Sequence, residues 1–179
     1  VLTLLILNFN VVVPLVARTV LNQDAHGFGL LMSALGAGAV AGGFGVALLR
    51  TGQPTLSFLV GAAVMLCAGF MALAVVDRFA VAFAVLALLG CSQILFTTGC
   101  NTMLQLAAPN NLRGRVMGLY TVTFAGMTRF GSLIVGMIAE HQGVRAACAV
   151  GGAIGLLGVA VLVAVAHRAG MVSRPARTV

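Results

Sequence analysis

The sequence has 179 residues, of which 61% are hydrophobic and only 7% are charged, and its mean hydropathy is +1.14. Soluble domains carry roughly 25% charged residues, so ten basic and three acidic residues cannot cover a surface exposed to water. The net charge of +7 would suggest nucleic-acid binding in a soluble protein, but the basic residues are scattered arginines and form no patch. Composition therefore predicts a membrane protein whose partner is the lipid bilayer. We do not expect it to bind nucleic acid.

A helix needs about 20 apolar residues to span the hydrocarbon core of a bilayer. Six apolar runs of roughly that length follow one another along the chain, at 2–21, 28–49, 56–76, 79–106, 116–139 and 146–166. Polar or turn residues separate them. We predict an all-α membrane protein with six transmembrane helices in one bundle, residues 1–168, followed by a basic cytoplasmic tail, residues 169–179.

The first run lacks the features of a cleaved signal peptide, because no basic region precedes it and it contains Asn8, Asn10 and Pro14. It is therefore predicted to be a transmembrane helix. Since the chain begins with Val1 and not with Met, we expect it to be a fragment of a longer protein.

Arginine in short loops favours the cytoplasmic side of a membrane. With a cytoplasmic amino terminus, the inner segments hold six arginines and no acid, and the outer segments hold three arginines and three acids. The inner set is Arg50, Arg113, Arg115, Arg168, Arg174 and Arg177, and the outer set is Arg18, Arg78, Arg145, Asp24, Asp77 and Glu140. We predict a multi-pass protein of the cell (inner) membrane with both termini of this segment in the cytoplasm.

Gly38 and Gly42 in the second helix form a G-x-x-x-G step, which allows close packing of helices in lipid. The letters of residues 36–41 also fit a dinucleotide-binding fingerprint. That fingerprint needs a preceding strand and an acid about 20 residues later. Residues 36–41 instead lie inside a continuous apolar run, and no acid occurs between Arg50 and Leu59. Helix packing is the interpretation that we keep.

The four cysteines lie within apolar stretches, with no C-x-x-C pair and no histidine at ligand spacing. The sequence therefore predicts no disulfide framework, no metal site and no cofactor. No Ser/His, Asp/Asp or His/Glu constellation occurs at membrane depth, so we do not expect an enzyme.

The most informative segment joins the fourth and fifth helices. Pro109 is predicted to end the fourth helix and Gly114 to allow a tight turn, and Arg113 and Arg115 place two positive charges where a new helix leaves the cytoplasmic face. Thr102, Gln105 and Pro109 form a T-x-x-Q-x-x-x-P pattern that is followed by L-R-G-R-V at 112–116. This pattern resembles the major facilitator superfamily, in the branch of the enterobactin exporter and macrolide-efflux-like permeases. Residues 14–31 are similar to the seventh helix, the following outer loop and the start of the eighth helix of that branch, and residues 126–136 are similar to its eleventh helix.

The resemblance implies that the chain is the carboxy-terminal six-helix half of a twelve-helix secondary active transporter. Its partners would be an amino-terminal six-helix half and a small-molecule substrate, such as a drug or siderophore, exported by alternating access. The family also implies a cytoplasmic gate at Pro109, Arg113, Gly114, Arg115 and Gly118, with residues 50–54 as a poorly formed counterpart. The alternative is a truncated, non-transporting scaffold, or a half-transporter that must pair with another six-helix bundle.

Polar side chains at membrane depth are costly unless they face protein or water, which makes them candidates for the substrate cavity. Such residues recur at helical spacing in the fourth helix, where interhelical hydrogen bonding is the alternative role. The candidates are Asn8, Asn10, Gln93, Thr97, Asn101, Gln105 and Arg129, with Thr98, Thr123 and Thr128 as further possibilities. Arg129 replaces the Pro that the resembling family often has, and it could contact an anionic substrate or bond only to backbone carbonyls. Since all three acids fall in predicted outer loops, a proton-coupling carboxylate is expected in the other half.

Overall fold

The computed structural model describes residues 9–20, 24–48 and 55–168, and within these ranges every regular element is a helix. The elements are α1 (Phe9–Leu15, continued by a π-helical turn, Val16–Val20), α2 (Ala25–Leu48), α3 (Leu56–Val75), α4 (Phe79–Ala107), α5 (Arg113–Gln142) and α6 (Val144–Arg168). Five of the described helices, α2 to α6, are long and apolar enough to cross a membrane. They coincide with five of the six predicted runs.

The remaining run, 2–21, is described only from Phe9 to Val20. Pro14 lies inside this helix and has no backbone N–H to donate, and the wider π-helical turn follows directly after it. The predicted tail at 169–179 and the predicted inner loop around Arg50 lie outside the described residues.

The connection between α4 and α5 is shorter than predicted. α5 begins at Arg113, so Gly114 lies within its first helical turn, and the prediction that Gly114 makes a tight turn is wrong. The turn is formed instead by Pro109 to Leu112, where the Leu112 N–H donates to the Pro109 carbonyl at 2.9 Å. Pro109 follows the end of α4 because a proline disfavours helical backbone in the residue before it, and three further residues suffice to reverse the chain.

The closest helix packing joins α2 and α4. Gly38 lies against the backbone of Ala87, and a Cβ added to Gly42 would be 2.7 Å from the Cys91 carbonyl oxygen. From the other side, Gly90 of α4 lies against the backbone of Leu35. Glycine on both helices lets the two backbones touch, which maximises van der Waals contact where lipid supplies no hydrophobic force between helices. The predicted role of the Gly38–Gly42 step is confirmed.

α3 forms the centre of the apolar core and packs between α4 and α6. Its Leu66, Phe70 and Leu73 side chains are fully buried. The ring of Phe9 from α1 meets Phe70 edge to face, with 5.7 Å between centroids, which is a favourable aromatic arrangement. These contacts hold α1, α3, α4 and α6 together and leave α5 at one side of the bundle.

At the end of the bundle opposite the Pro109 turn, α5 and α6 are joined by a single residue. Gly143 makes this possible because its φ of 83° is a conformation that other residues rarely adopt. At the same end, Arg145 of α6 forms an ion pair with Asp77, which lies between α3 and α4. Asp77 and Arg145 therefore lie at the same end of the bundle, and their ion pair links the α3–α4 connection to the start of α6.

Candidate functional site

α4 and α5 are consecutive in the chain, yet they diverge and leave a cavity of about 580 Å³ between them. The cavity is lined by nine residues, six from α4 and three from α5. They are Gln93, Thr97, Thr98, Asn101, Thr102 and Gln105 of α4, and Tyr120, Thr121 and Phe124 of α5. The Pro109 turn lies at one end of the cavity, four residues beyond Gln105.

The α4 wall follows from helical periodicity. Gln93, Thr97, Asn101 and Gln105 recur every four residues, so a helix with 3.6 residues per turn brings them to one face. Closer to the start of α4, the helix carries small and apolar residues, such as Gly90 and Leu86, that are buried in the core. Six of the seven Ser, Thr, Asn and Gln side chains of α4 therefore line the cavity, and the seventh, Ser92, is buried.

Several polar groups of the cavity are already engaged within their own helix. The Thr97 hydroxyl donates to the Gln93 carbonyl at 2.8 Å, and the Thr121 hydroxyl donates to the Met117 carbonyl at 2.9 Å. The Gln105 amide nitrogen donates to the Asn101 side-chain oxygen at 2.6 Å. Hydroxyl lone pairs and the Asn101 amide N–H groups then remain for another molecule.

The α5 wall is aromatic. The rings of Tyr120 and Phe124 lie one helical turn apart, with centroids separated by 5.8 Å and planes tilted by 36°. Tyr120 is the one tyrosine of the sequence. A largely aromatic surface, which also carries the Tyr120 and Thr121 hydroxyls, thus faces a row of hydroxyl and amide groups across the cavity.

None of the nine residues lining the cavity carries a formal charge. The arrangement can hold a small molecule by hydrogen bonds on one side and apolar or aromatic contact on the other. It contains no group poised to act as a nucleophile with an adjacent base.

The structure brings together four of the predicted cavity candidates, Gln93, Thr97, Asn101 and Gln105, and also Thr98. Sequence reasoning did not assign Thr102, Tyr120, Thr121 or Phe124 to the cavity. Thr102 carried a usable signal, because it follows Thr98 by four residues. The three α5 residues carried none, since the face that a helix turns toward its neighbour depends on tertiary packing.

The other candidates lie elsewhere. Asn8 and the side chain of Asn10 are outside the described residues. Thr123 is exposed and Thr128 donates its hydroxyl to the Phe124 carbonyl at 2.8 Å. Arg129 is exposed and does not line the cavity, because five residues place it about 140° around α5 from Phe124.

The predicted gate residues lie at the end of the cavity marked by Pro109. Arg113, Gly114 and Arg115 occupy the first turn of α5, and Gly118 follows one turn later, all of them exposed. This helix start has neither an acidic residue nor a side-chain cap at Leu112. Two positive charges therefore lie where the helix dipole is itself positive, an arrangement that does not stabilise the helix.

One comparison with known proteins gives a match. A family model described as transmembrane secretion effector matches residues 5–174, which include both walls of the cavity and the Pro109 turn. No curated protein and no solved structure matches the chain.

Proposed function

Because the chain belongs to the transmembrane secretion effectors, a membrane transport family of the major facilitator type, we propose that it is part of a secondary active transporter that exports small molecules such as drugs or siderophores. Export proceeds by alternating access, in which two helix bundles rock about a central path. The chain supplies the carboxy-terminal six-helix half, and its branch is that of the enterobactin exporter and macrolide-efflux-like permeases. The partner is an amino-terminal six-helix half.

The observation that carries this proposal is the uncharged polar cavity between α4 and α5. Amide and hydroxyl groups at membrane depth are costly unless they face protein or a water-filled space. Here six of them lie on one helix face and border a space of about 580 Å³, which is within the usual range for small-molecule pockets. This supports a substrate path along the cavity. We propose Asn8 and Asn10 of the first apolar run as further wall residues, because they too are polar groups in an apolar run.

The location of the cavity supports its connection to the cytoplasm. Its lining begins near Gln105, close to the Pro109 turn, and extends along α4 to Gln93. The distribution of arginines favours the cytoplasmic side for that turn and for both termini. We assign Pro109, Arg113, Gly114, Arg115 and Gly118 to the gate through which the substrate enters from the cytoplasm.

Two matched substitutions test the cavity. Thr97→Val removes a hydroxyl from the cavity while preserving shape, and Thr123→Val makes the same change at an exposed position outside it. In the protein with its native partner segments, efflux of ethidium, a macrolide and a catecholate siderophore is measured from intact cells. Gln93→Leu, which removes a whole amide, is measured alongside.

We expect Gln93→Leu to lower efflux of at least one of these compounds by about tenfold, since an unmet hydrogen bond costs about 1–3 kcal/mol. Thr97→Val should have a smaller effect on the same compound, because the Thr97 hydroxyl already donates its proton to the Gln93 backbone carbonyl. Thr123→Val should have none. Equal efflux in all four proteins would disprove the cavity as the substrate path, and no efflux by the unaltered protein would favour a non-transporting scaffold.

A further inference from the structure

The side of α5 turned away from the cavity carries a row of large apolar residues. They are Leu119, Val122, Phe130, Leu133 and Met137, each at least 62% exposed, and we refer to them as the exposed face of α5. Among the described spans, α5 is the least buried. Apolar exposure alone does not identify what covers this face, because lipid tails are as apolar as leucine.

The charge and depth of Arg129 indicate what covers the exposed face of α5. Arg129 lies on the exposed face, since Val122 and Leu133 are about 20° and 40° from it around the helix. It is 16 residues from Arg113 and 13 from Gln142, or about 24 Å and about 20 Å from the two helix ends. Its guanidinium has no ion-pair or hydrogen-bond partner among the described residues.

Lipid is a poor occupant for this position. An arginine stays charged in proteins, and a charged side chain near the centre of a bilayer is costly even on the mildest scale. If α5 is centred in a hydrocarbon core about 30 Å thick, the Cα atom of Arg129 lies well over 10 Å from either interface. That is farther than its side chain can extend, so the charge is stabilised there by a partner at the same depth, and an anionic group is the strongest such partner.

The backbone near Arg129 allows such a partner to come close. Gly118 and Gly126 lie on the same side of α5 as Val122, four residues from it in each direction, and a Cβ added to either glycine would meet nothing within 4 Å. Glycine has no side chain, so another helix can approach the backbone closely at these two positions. A helix seated there would cover Val122 and lie next to Arg129.

A second copy of this chain does not provide the anion. The three acids of the sequence are Asp24, Asp77 and Glu140, and all lie at or near helix ends. The nearest along α5, Glu140, is 11 residues from Arg129, or about 16 Å along the axis. In a copy with the same orientation in the membrane, no carboxylate would reach the depth of Arg129.

We propose that the exposed face of α5 docks against a transmembrane helix from outside this chain, and that an Asp or Glu of that helix pairs with Arg129. This docking rests on the proposed function, because the amino-terminal bundle would supply the helix. An intramembrane ion pair of this kind fixes the relative depth and rotation of the two helices. Apolar contact alone would let the helices shift along and rotate about their axes.

Photo-crosslinking in native membranes tests the docking without measuring transport. Benzoylphenylalanine replaces Leu133, about one helical turn from Arg129, and in a control it replaces Val161 of α6, which is 62% exposed on another helix. Crosslinked peptides are identified by mass spectrometry. We expect the probe at position 133 to join a membrane segment that has an Asp or Glu within about one turn of the attachment point, and the probe at position 161 not to join that segment.

Charge variants then test the ion pair. We expect Arg129→Lys to preserve the crosslink and Arg129→Glu to lower its yield at least about fivefold, the factor implied by a coupling of about 1 kcal/mol. Changing the partner acid to Arg in the Arg129→Glu protein should restore the yield. This restoration separates loss of pairing from failure to fold.

Several outcomes would overturn the docking: crosslinks only to lipid, crosslinks to a second copy of this chain, a partner segment without an acid, or an unchanged yield in Arg129→Glu. Selective loss of anionic-siderophore efflux without a change in crosslinking would assign Arg129 to the substrate instead. Efflux is measured in the same cells. Intact crosslinking in a protein that exports nothing would defeat the proposed function and leave the docking standing.

Discussion

Gly38 of α2 lies so close to the backbone of Ala87 in α4 that no side-chain atom can be placed between them. Gly90 of α4 lies equally close to the backbone of Leu35 in α2. One turn beyond Gly38, Gly42 lies against the backbone of Cys91. The two helices therefore meet backbone to backbone over about two turns of α2 and about one turn of α4. Since α4 also forms one wall of the cavity, this contact fixes the position of that wall within the bundle.

We predict that Gly38→Leu separates α2 from α4 and lowers the stability of the protein by about 3 kcal/mol or more, because overpacking costs about 1–3 kcal/mol even where neighbouring side chains can move. Here the obstruction is backbone, which cannot move aside. The measurement is the temperature at which half of the detergent-solubilised protein loses its monodisperse peak in size-exclusion chromatography. Gly36→Leu is the matched control, because a Cβ at Gly36 meets nothing within 4 Å. Equal losses for the two variants would contradict the packing.

Part of this contact could be predicted from the sequence and part could not. Gly38 and Gly42 are four residues apart in one helix, so their spacing alone predicts a packing face. The identity of the partner could not be predicted, because Gly90 is a single glycine in another apolar run. The same limit applies to the cavity. The polar row on α4 is periodic and visible in the sequence, whereas Tyr120 and Phe124 become its opposite wall only through the packing of α5.

The one-residue connection at Gly143 gives a second prediction. With φ at 83° and ψ at 160°, Gly143 occupies a backbone region that is nearly exclusive to glycine. Gly143→Ala should therefore cost about 1–3 kcal/mol in stability. Gly114→Ala is the control, because Gly114 is helical with open space at Cβ, and alanine there should be neutral or stabilise by up to about 1 kcal/mol. Both are measured by thermal unfolding in one detergent, and a destabilised Gly114→Ala would mean that α5 does not begin at Arg113.

The ion pair between Asp77 and Arg145 should contribute little to stability. Its side chains are 70% and 52% exposed, and exposed pairs are typically worth about 0–1 kcal/mol. A double-mutant cycle of Asp77→Asn and Arg145→Gln, read by thermal unfolding, should give a coupling below about 1 kcal/mol that falls as salt is added. Arg78→Gln, at an exposed neighbouring arginine that has no ion pair among the described residues, should show no coupling to Asp77→Asn. A coupling of several kcal/mol would mean that this end of the bundle is more shielded from water than its exposure indicates.

Substitutions of the arginines at the start of α5 should affect thermal stability and efflux in different ways. Arg115 lies in the first helical turn, where the helix dipole disfavours a cation, and no acid is present in that turn to offset it. Arg115→Gln should therefore leave thermal stability unchanged or raise it by up to about 1 kcal/mol. If Arg115 belongs to the cytoplasmic gate, the same change should lower efflux, because the charge contacts that set the open and closed states are lost.

Arg115→Lys keeps the charge at this position and is the matched control. It should retain most of the efflux if charge is what the gate requires, and it should lose efflux together with Arg115→Gln if the planar, forked guanidinium is required. Cysteine-accessibility labelling on both sides of the membrane confirms that neither variant has changed orientation, since arginines in short loops also set topology. Unchanged efflux in Arg115→Gln, with orientation preserved, would remove Arg115 from the gate and leave the Pro109 turn as a connection between helices only.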